Sequence, residues 1–296
     1  MNRGPMSIDD RSAIGVIGAG RLGSALAHAL LAAGRPLDAV ASRTRVHADE
    51  LASGLPFVAA AEIDELVASS NIVFLAVPDD TIEEVAHSIA WRPGQAVVHL
   101  SGGRGLDALS AVTEVGGTAG CLHPLQTFPG DETPAAARAR FQGIACGIEA
   151  PGPLDSVLEG IVEAVGGRSF RLEGVDRAAY HAAAVLVSND VVATMAAASR
   201  AWVLAGLPAE EARGALSALL VASAASIAER PLTEALTGPV ARGDVETVRG
   251  HLAALESEPE LRALYRGLGA ELLRLDLGHN DEAAGALREL LDGAGA

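Results

Sequence analysis

Ile14-Gly15-Val16-Ile17-Gly18-Ala19-Gly20-Arg21-Leu22-Gly23 is the stretch that decides the fold of this 296-residue chain. A short apolar run leads into the pattern Gly-x-Gly-x-x-Gly, and an alanine-rich pattern with helical spacing follows. This order predicts a strand, a tight turn and a helix. In such a turn Gly18 permits the sharp bend, Gly20 lets the backbone approach a pyrophosphate, and Gly23 lets the helix pack close to the strand.

The start of that helix offers free N–H groups and the positive end of its dipole to phosphates. We therefore predict a dinucleotide site here. The alternative is a purely structural glycine turn, since the chain has 33 glycines. The predicted binding residues of the turn are Gly18, Ala19, Gly20, Arg21, Leu22 and Gly23.

The charge of the chain limits its partners. The formal net charge is −16, which argues against nucleic acid or an anionic membrane surface, because both would be repelled. All 22 basic residues are arginine, so the chain contains no lysine. We expect no metal site, because His99, Cys121 and His123 do not have a recognised ligand spacing.

Cysteine usage and the N-terminus favour a cytoplasmic protein. Cys121 and Cys146 lie in apolar, strand-like runs, which predicts buried, reduced thiols. Residues 1–12 are polar, lack the apolar core of a signal peptide, and are expected to be a disordered extension. The longest apolar stretch, Ala182–Ser199, is interrupted by polar residues at 188–190, so we interpret it as a buried helix and not as a membrane span.

The second predicted strand, Leu37–Ala41, bears on the choice of cofactor. An NAD site usually has an acidic residue at this strand end, whereas this chain has Ser42 and Arg43. An arginine can pair with a 2′-phosphate, which favours NADP, with NAD as the lesser choice. The alternative is a solvated arginine on a loop. Val77 and Pro78 end another buried strand and are expected to contact the same cofactor.

Strand and helix patterns alternate up to Glu173, and helical patterns alone follow. This order predicts an α/β fold, a doubly wound and mostly parallel sheet, followed by an all-α C-terminal domain. We place the two domains at residues 13–173 and 174–296. Ligands of such sheets bind beyond the carboxyl ends of the strands.

The first long helix, predicted over Asp176–Leu204, carries polar residues on an apolar stripe. His181, Val185 and Asn189 have i, i+4, i+8 spacing and would share one face. They either point at a substrate or are polar groups satisfied in the core. Tyr180 lies on a neighbouring face and is a weaker candidate.

Several further motifs support a resemblance to a known superfamily. The chain resembles the hydroxyacid dehydrogenases, ketopantoate reductases, pyrroline-carboxylate reductases and deazaflavin-dependent NADP oxidoreductases. It is most similar to a bacterial subgroup with a Rossmann-like domain and a helical C-terminal domain of unassigned function, of the kind seen in 6-phosphogluconate dehydrogenases. The motifs are His99-Leu100-Ser101-Gly102, Leu122-His123-Pro124-Leu125-Gln126, Tyr180-His181-Ala182-Ala183-Ala184, Ser188-Asn189 and Leu236-Thr237-Gly238-Pro239.

The resemblance implies an NADP-binding Rossmann domain and a helical domain for substrate binding and dimerisation. In hydroxyacid dehydrogenases a catalytic lysine lies one turn before an asparagine. Asn189 matches that asparagine, but Val185 stands in the lysine position, so the usual proton donor is missing. His181 and His123 are the neutral-pH alternatives. Ser101 is similar to the serine, and His123-Pro124 to the His-Pro pair, at substrate sites of prephenate dehydrogenases.

The loop with Thr237, Gly238 and Arg242 is similar in place to the substrate loop of pyrroline-carboxylate reductases, whose helical domains dimerise. Arg242 would then hold a substrate carboxylate; the alternative is an ordinary turn with a surface arginine. We expect a cytoplasmic homodimer that reduces a small oxo- or imino-acid with NADP, as some ketopantoate-reductase-like members of the subgroup are thought to do. A non-catalytic NADP sensor or scaffold and a prephenate-like dehydrogenase are the alternatives.

Overall fold

The computed structural model describes residues 8–130 and 133–292. Most of the expected N-terminal extension therefore lies outside the described residues. From residue 8 onward, a turn precedes the first strand. The Ser12 hydroxyl accepts a hydrogen bond from Asp9 N at 2.9 Å, and Arg35 pairs with Asp10 at 2.9 Å.

The predicted mostly parallel sheet is confirmed within the described residues. Its eight strands lie in the order β3-β2-β1-β4-β5-β6-β7-β8, and β6 and β7 form the one antiparallel pair. The strands are β1 Ile14–Ile17, β2 Leu37–Ala41, β3 Ala59–Ala60, β4 Ile72–Leu75, β5 Ala96–His99, β6 Thr118–Pro124, β7 Ala145–Glu149 and β8 Arg168–Arg171.

Both faces of this sheet are covered by apolar side chains. Along β4, Ile72 and Phe74 belong to one buried cluster, and Val73 and Leu75 belong to a second. Successive strand residues point to opposite faces, so this alternation is typical of a strand buried on both sides. The helices among these strands are α1 Arg21–Ala32, α2 Arg45–Ser53, α3 Ile63–Ser69, α4 Ile82–Ser88, α5 Ser110–Glu114, α6 Pro134–Ala139 and α7 Pro153–Ala164.

The glycine turn has the geometry that the sequence predicts. Gly18 has φ +115°, and a Cβ at this position would lie 2.2 Å from the Ala76 carbonyl oxygen. A Cβ at Gly23 would lie 1.9 Å from the Gly18 carbonyl oxygen, so only glycine allows α1 to start this close to the turn. At Gly20, by contrast, a Cβ would meet no atom within 4 Å, which leaves the backbone accessible from outside.

The remaining helices fall after β8. The expected single helix over Asp176–Leu204 is wrong, because it breaks at Val187-Ser188. Ser188 has φ −125° and ψ −76°, and its hydroxyl donates to Asn189 Oδ1 at 3.0 Å. The helices are α8 Arg177–Leu186, α9 Asn189–Leu204, α10 Ala209–Glu229, α11 Leu232–Ala235, α12 Val245–Ala254, α13 Pro259–Leu272 and α14 Asp281–Asp292.

The chain divides into two compact units after Leu186. The reason is that α8 is bound to the sheet: Arg177 forms an ion pair with Glu149 at the end of β7. The second unit has its own small core, in which Val248, Leu252 and Leu287 are buried.

The expectation that Ala182–Ser199 is buried is also wrong. Within α8 and α9 no residue is fully buried, and Val192 is 70% exposed. On α10, Leu219 and Val221 are 65% and 68% exposed. The stretches Arg177–Leu204 and Ala209–Glu229 are long and apolar enough to cross a membrane, although length and composition alone are a weak indication.

Two glycines of the turn provide a matched test of this packing. We expect Gly23→Ala to lower the free energy of unfolding by about 1–3 kcal/mol, the usual range for overpacking. Gly20→Ala should lower it by less, because its methyl group meets no neighbouring atom. Chemical denaturation of both variants measures the difference. Equal destabilisation would contradict the assigned roles.

Candidate functional site

Ser101 follows β5 at the carboxyl edge of the sheet and is almost fully buried. Its hydroxyl donates a 2.5 Å hydrogen bond to Asp79 Oδ2, and it accepts bonds from the backbone N–H groups of Gly103 and Arg104 at 3.2 and 3.1 Å. Asp79 comes from the segment after β4. Ser101 therefore joins the ends of two neighbouring parallel strands.

His123, Tyr180 and His181 lie together on the next strand and on α8. The Tyr180 hydroxyl is 2.6 Å from His123 Nδ1, and the two rings meet edge to face with centroids 5.5 Å apart. The rings of His123 and His181 are 6.2 Å apart. Phe170 of β8 packs against Tyr180 from another side, with a ring distance of 6.0 Å. The tyrosine thus holds the His123 ring in one orientation.

Two glycines after Ser101 let these rings approach the backbone. A Cβ at Gly102 would lie 2.7 Å from His123 Cε1, and one at Gly103 would lie 3.6 Å from His181 Cδ2 and 3.9 Å from Asp79 Oδ2. The motif therefore places both histidines beside the Ser101–Asp79 pair. We call Asp79, Ser101, His123, Tyr180 and His181 the histidine cluster.

Burial keeps two members of the cluster, His123 and Tyr180, uncharged. The pKa of His123 falls to about 4, mainly through desolvation and then through the nearby His181 and Arg177, although Asp79 opposes the shift. Desolvation also raises the pKa of Tyr180 to about 12. At pH 7 His123 is therefore an uncharged imidazole and Tyr180 a protonated phenol. A neutral imidazole has one donor nitrogen and one acceptor nitrogen.

The neighbouring cysteine has no nucleophilic character. Desolvation raises the pKa of Cys121 to about 11, so its sulfur is a thiol at neutral pH. Its Sγ donates to the Ser101 carbonyl at 3.4 Å and accepts from the Arg177 guanidinium at 3.5 Å. Cys121 and Cys146 are both buried and free, as predicted. Among the described residues no group of three or more His, Cys, Asp or Glu could hold a metal.

The predicted cofactor residues lie along one edge of the sheet. Ser42 and Arg43 follow β2, and the Arg43 side chain is exposed with no ion pair to any described residue. Arg45, by contrast, is held by Asp49 at 3.0 Å and Glu62 at 2.7 Å. Val77 and Pro78 follow β4 and lie before Asp79 of the cluster. Open space at Gly20, the start of α1 and a free arginine together suit the pyrophosphate and 2′-phosphate of NADP.

The structure does not join the other predicted site residues to the cluster. Because the helix breaks at Ser188, the argument that His181 and Asn189 share one helix face is wrong. His181 lies in the first unit, and Asn189 begins α9 in the second. Thr237, Gly238 and Arg242 also lie in the second unit. Gly238 has φ +98°, and the Arg242 guanidinium is 3.8 Å from Asp244.

The sequence gives only weak signals for two members of the cluster, Tyr180 and Asp79. Tyr180 is a weaker candidate from sequence because it lies on a neighbouring face of the predicted helix, and its observed partner His123 is 57 positions away. One sequence signal points to Asp79: it comes shortly after a buried strand, at the edge of the sheet where ligands are expected to bind. The contact of α8 with the sheet, which brings both residues to His123, has no local sequence signature.

Comparison with known proteins agrees with this geometry. Residues 4–124 match the family described as a Rossmann-like domain, and residues 144–272 match a domain of unknown function, DUF2520. The two matches together cover most of the chain. The second match begins at the last two strands of the sheet, so DUF2520 includes more than the helices. Among curated proteins, no sequence matches.

Solved structures with the same fold cover nearly the whole chain. A candidate NADP oxidoreductase from Bacteroides fragilis is 26% identical, with a TM-score of 0.70, covering 89% of this chain and 98% of its own. A reductive aminase from Aspergillus terreus, in complex with NADPH and ethyl levulinate, is 20% identical, with a TM-score of 0.60 and coverage of 96% and 99%. A 1-pyrroline-5-carboxylate reductase from Streptococcus pyogenes is 19% identical, with a TM-score of 0.58 and coverage of 97% and 99%.

Proposed function

We propose that this Rossmann-like/DUF2520 protein is an NADP-dependent oxidoreductase that reduces a small oxo- or imino-acid. The observation that carries the proposal is the histidine cluster, built on the sheet edge that also bears the glycine turn. Both the turn and the cluster lie within the first unit. Related structures include an NADPH complex of a reductive aminase, and the B. fragilis relative is named as a candidate NADP oxidoreductase.

The glycine turn and Arg43 are assigned to NADP. Gly18, Ala19, Gly20, Arg21, Leu22 and Gly23 would surround the pyrophosphate at the start of α1. Ser42 and Arg43 would take the 2′-phosphate, and Val77 and Pro78 would contact the nicotinamide half. NAD would bind the same residues more weakly, because it lacks the group that Arg43 recognises.

The bound cofactor supplies a hydride, so the protein must supply a proton to the reduced oxygen or nitrogen. With no lysine in the chain, we assign this proton to His123 or His181. When the Tyr180 hydroxyl donates to Nδ1 of His123, the proton of the neutral ring is on Nε2. That N–H can donate to the substrate while Tyr180 passes its own proton to Nδ1, and the Tyr180 phenolate then takes a proton from solvent before the next turnover.

Other residues would bind and orient the substrate. Ser101, within the cluster, is proposed to form a hydrogen bond with the substrate. Asn189 is proposed as a further hydrogen-bond partner of the substrate, and Thr237, Gly238 and Arg242 as substrate-binding residues, with Arg242 as the carboxylate partner. Reduction of a ketopantoate-like oxo-acid fits these assignments. A sensor without activity would bind NADP and reduce no oxo-acid or imine.

We propose that the protein is a cytoplasmic homodimer formed through the helical unit. Three large apolar side chains, Val192, Leu219 and Val221, are each at least 65% exposed on α9 and α10. A second copy of the same helices would cover such a surface, and large exposed apolar patches are typical of protein interfaces.

Cofactor choice is tested at Arg43. We expect Arg43→Ala to weaken NADPH binding about 10- to 100-fold and to leave NADH binding unchanged, because a hydrogen bond to a charged group contributes about 1.5–3 kcal/mol. Fluorescence titration with both cofactors measures this. Arg45→Ala is the control, since its guanidinium is held by Asp49 and Glu62. Equal losses for both cofactors in Arg43→Ala would defeat the 2′-phosphate assignment.

Proton delivery is tested with any oxo- or imino-acid that the wild-type protein reduces. His123→Ala should lower kcat about 10²-fold or more, as expected for loss of an acid catalyst. Tyr180→Phe should lower kcat by a smaller factor. The exposed His87 on α4 provides the control variant His87→Ala, which should keep its activity. An unchanged kcat in His181→Ala would exclude His181 as the proton donor. An unchanged kcat in His123→Ala would exclude His123.

The pH profile tests the same assignment without a mutation. With a pKa of about 4 for His123 and about 12 for Tyr180, the protonation of the pair is constant between about pH 5 and 10. Activity that depends on this pair should therefore be flat there. An inflection between pH 6 and 7, the ordinary range of histidine, would point away from His123.

The oligomeric state is tested by sedimentation. We expect a mass twice that of the 30.0 kDa chain. Leu219→Glu should shift the equilibrium toward monomer, because a charge would be buried in the interface. The control variant Val46→Glu places the same charge on an exposed site of the first unit. It should leave the equilibrium between monomer and dimer unchanged. A monomer at all concentrations would exclude the dimer.

A further inference from the structure

A separate cavity of about 420 Å³ lies in the second unit, between α13 and the end of α14. Two arginines of α13, Arg262 and Arg266, face it together with Glu256, Leu291 and Asp292. None of these residues belongs to the glycine turn or to the histidine cluster, and no role has been assigned to the cavity so far.

The two arginines form a like-charged pair beside one cavity. They have i, i+4 spacing, so their charges lie on adjacent turns of one helix face, which is unfavourable without an anion nearby. Within residues 8–130 and 133–292, neither guanidinium has a carboxylate within 4.0 Å. Arg200 and Arg274 of the same unit, by contrast, are paired with Glu258 at 2.6 Å and with Glu271 at 3.2 Å.

The Nε atoms of both arginines are buried and have no hydrogen-bond partner in the described part of the chain. A buried N–H donor without an acceptor is destabilising. Arg262 and Arg266 both line the cavity, so a ligand there can pair with guanidinium groups that have no carboxylate partner among the described residues. Such a ligand would carry negatively charged oxygens.

We propose that this cavity binds an oxyanion group, a carboxylate or a phosphate, between Arg262 and Arg266. The planar donor arrangement of arginine matches both groups, since each offers several oxygens to adjacent N–H donors. Glu256 and Asp292 line the same cavity and reduce its positive potential. Direct hydrogen bonds, and not net charge, must therefore hold the ligand, which favours an oxyanion over chloride.

Isothermal titration calorimetry with inorganic phosphate and with malonate tests this site at constant ionic strength. We expect both probes, or one of them, to bind the wild-type protein, and the response identifies which oxyanion the site prefers. The double variant Arg262→Gln/Arg266→Gln should lose at least tenfold in affinity. Arg274→Gln, just after the end of α13 and with an exposed ion pair, is the matched control and should bind as the wild type does.

The glycine turn is a second place where phosphate can bind, but these variants leave it intact. Binding that persists unchanged in the double variant would therefore overturn the proposal. Equal binding of chloride would also overturn it, because a simple counter-ion would then explain the heat.

A measurement on the wild-type protein avoids any folding defect of the variants. The Nε–H groups of arginine can be followed by ¹⁵N-edited NMR during the same titrations. Two of these signals should shift with phosphate or malonate and not with chloride. If no Nε–H signal moves, the cavity does not bind an oxyanion.

Discussion

The close approach of α1 to the first strand is the constraint on which the proposed site depends. A Cβ at Gly23 would lie 1.9 Å from the Gly18 carbonyl oxygen, and one at Gly18 would lie 2.2 Å from the Ala76 carbonyl oxygen. Glycine at both positions lets the start of α1 sit directly at the end of β1, beside the end of β4. The positive end of the helix dipole and its free N–H groups are thereby fixed at the edge where the parallel strands finish.

The same edge carries the histidine cluster, because α8 is attached to it. The hydrogen bond between Tyr180 and His123, and the ion pair between Arg177 and Glu149, connect this helix to β6 and β7. Burial at the contact makes His123 a neutral imidazole at physiological pH. A chain without lysine can in this way retain a proton donor at the sheet edge, provided that the donor is a neutral N–H backed by a phenol and not an ammonium group.

The sequence predicted the sheet well, because its signals are local. The alternation in β4 and the glycine pattern before α1 each depend on a few adjacent residues. The predictions from sequence failed where periodicity is a poor guide or where the outcome depends on distant contacts. Apolar periodicity alone would continue the helix through Val187-Ser188, where the structure breaks it. Tyr180 and His123 meet only because α8 folds back onto the sheet, and the exposure of Leu219 reflects a surface that the single chain leaves uncovered.

The distance between the nicotinamide C4 atom of bound NADPH and the His123 ring tests the central claim most directly. A crystal structure of the complex should place the pyrophosphate at Gly20 and C4 about 4–6 Å from the His123 or Tyr180 ring, which leaves room for one carbonyl group between reacting atoms about 3–3.5 Å apart. A nicotinamide bound away from His123, Tyr180 and Ser101, or a pyrophosphate bound elsewhere than the glycine turn, would contradict the account.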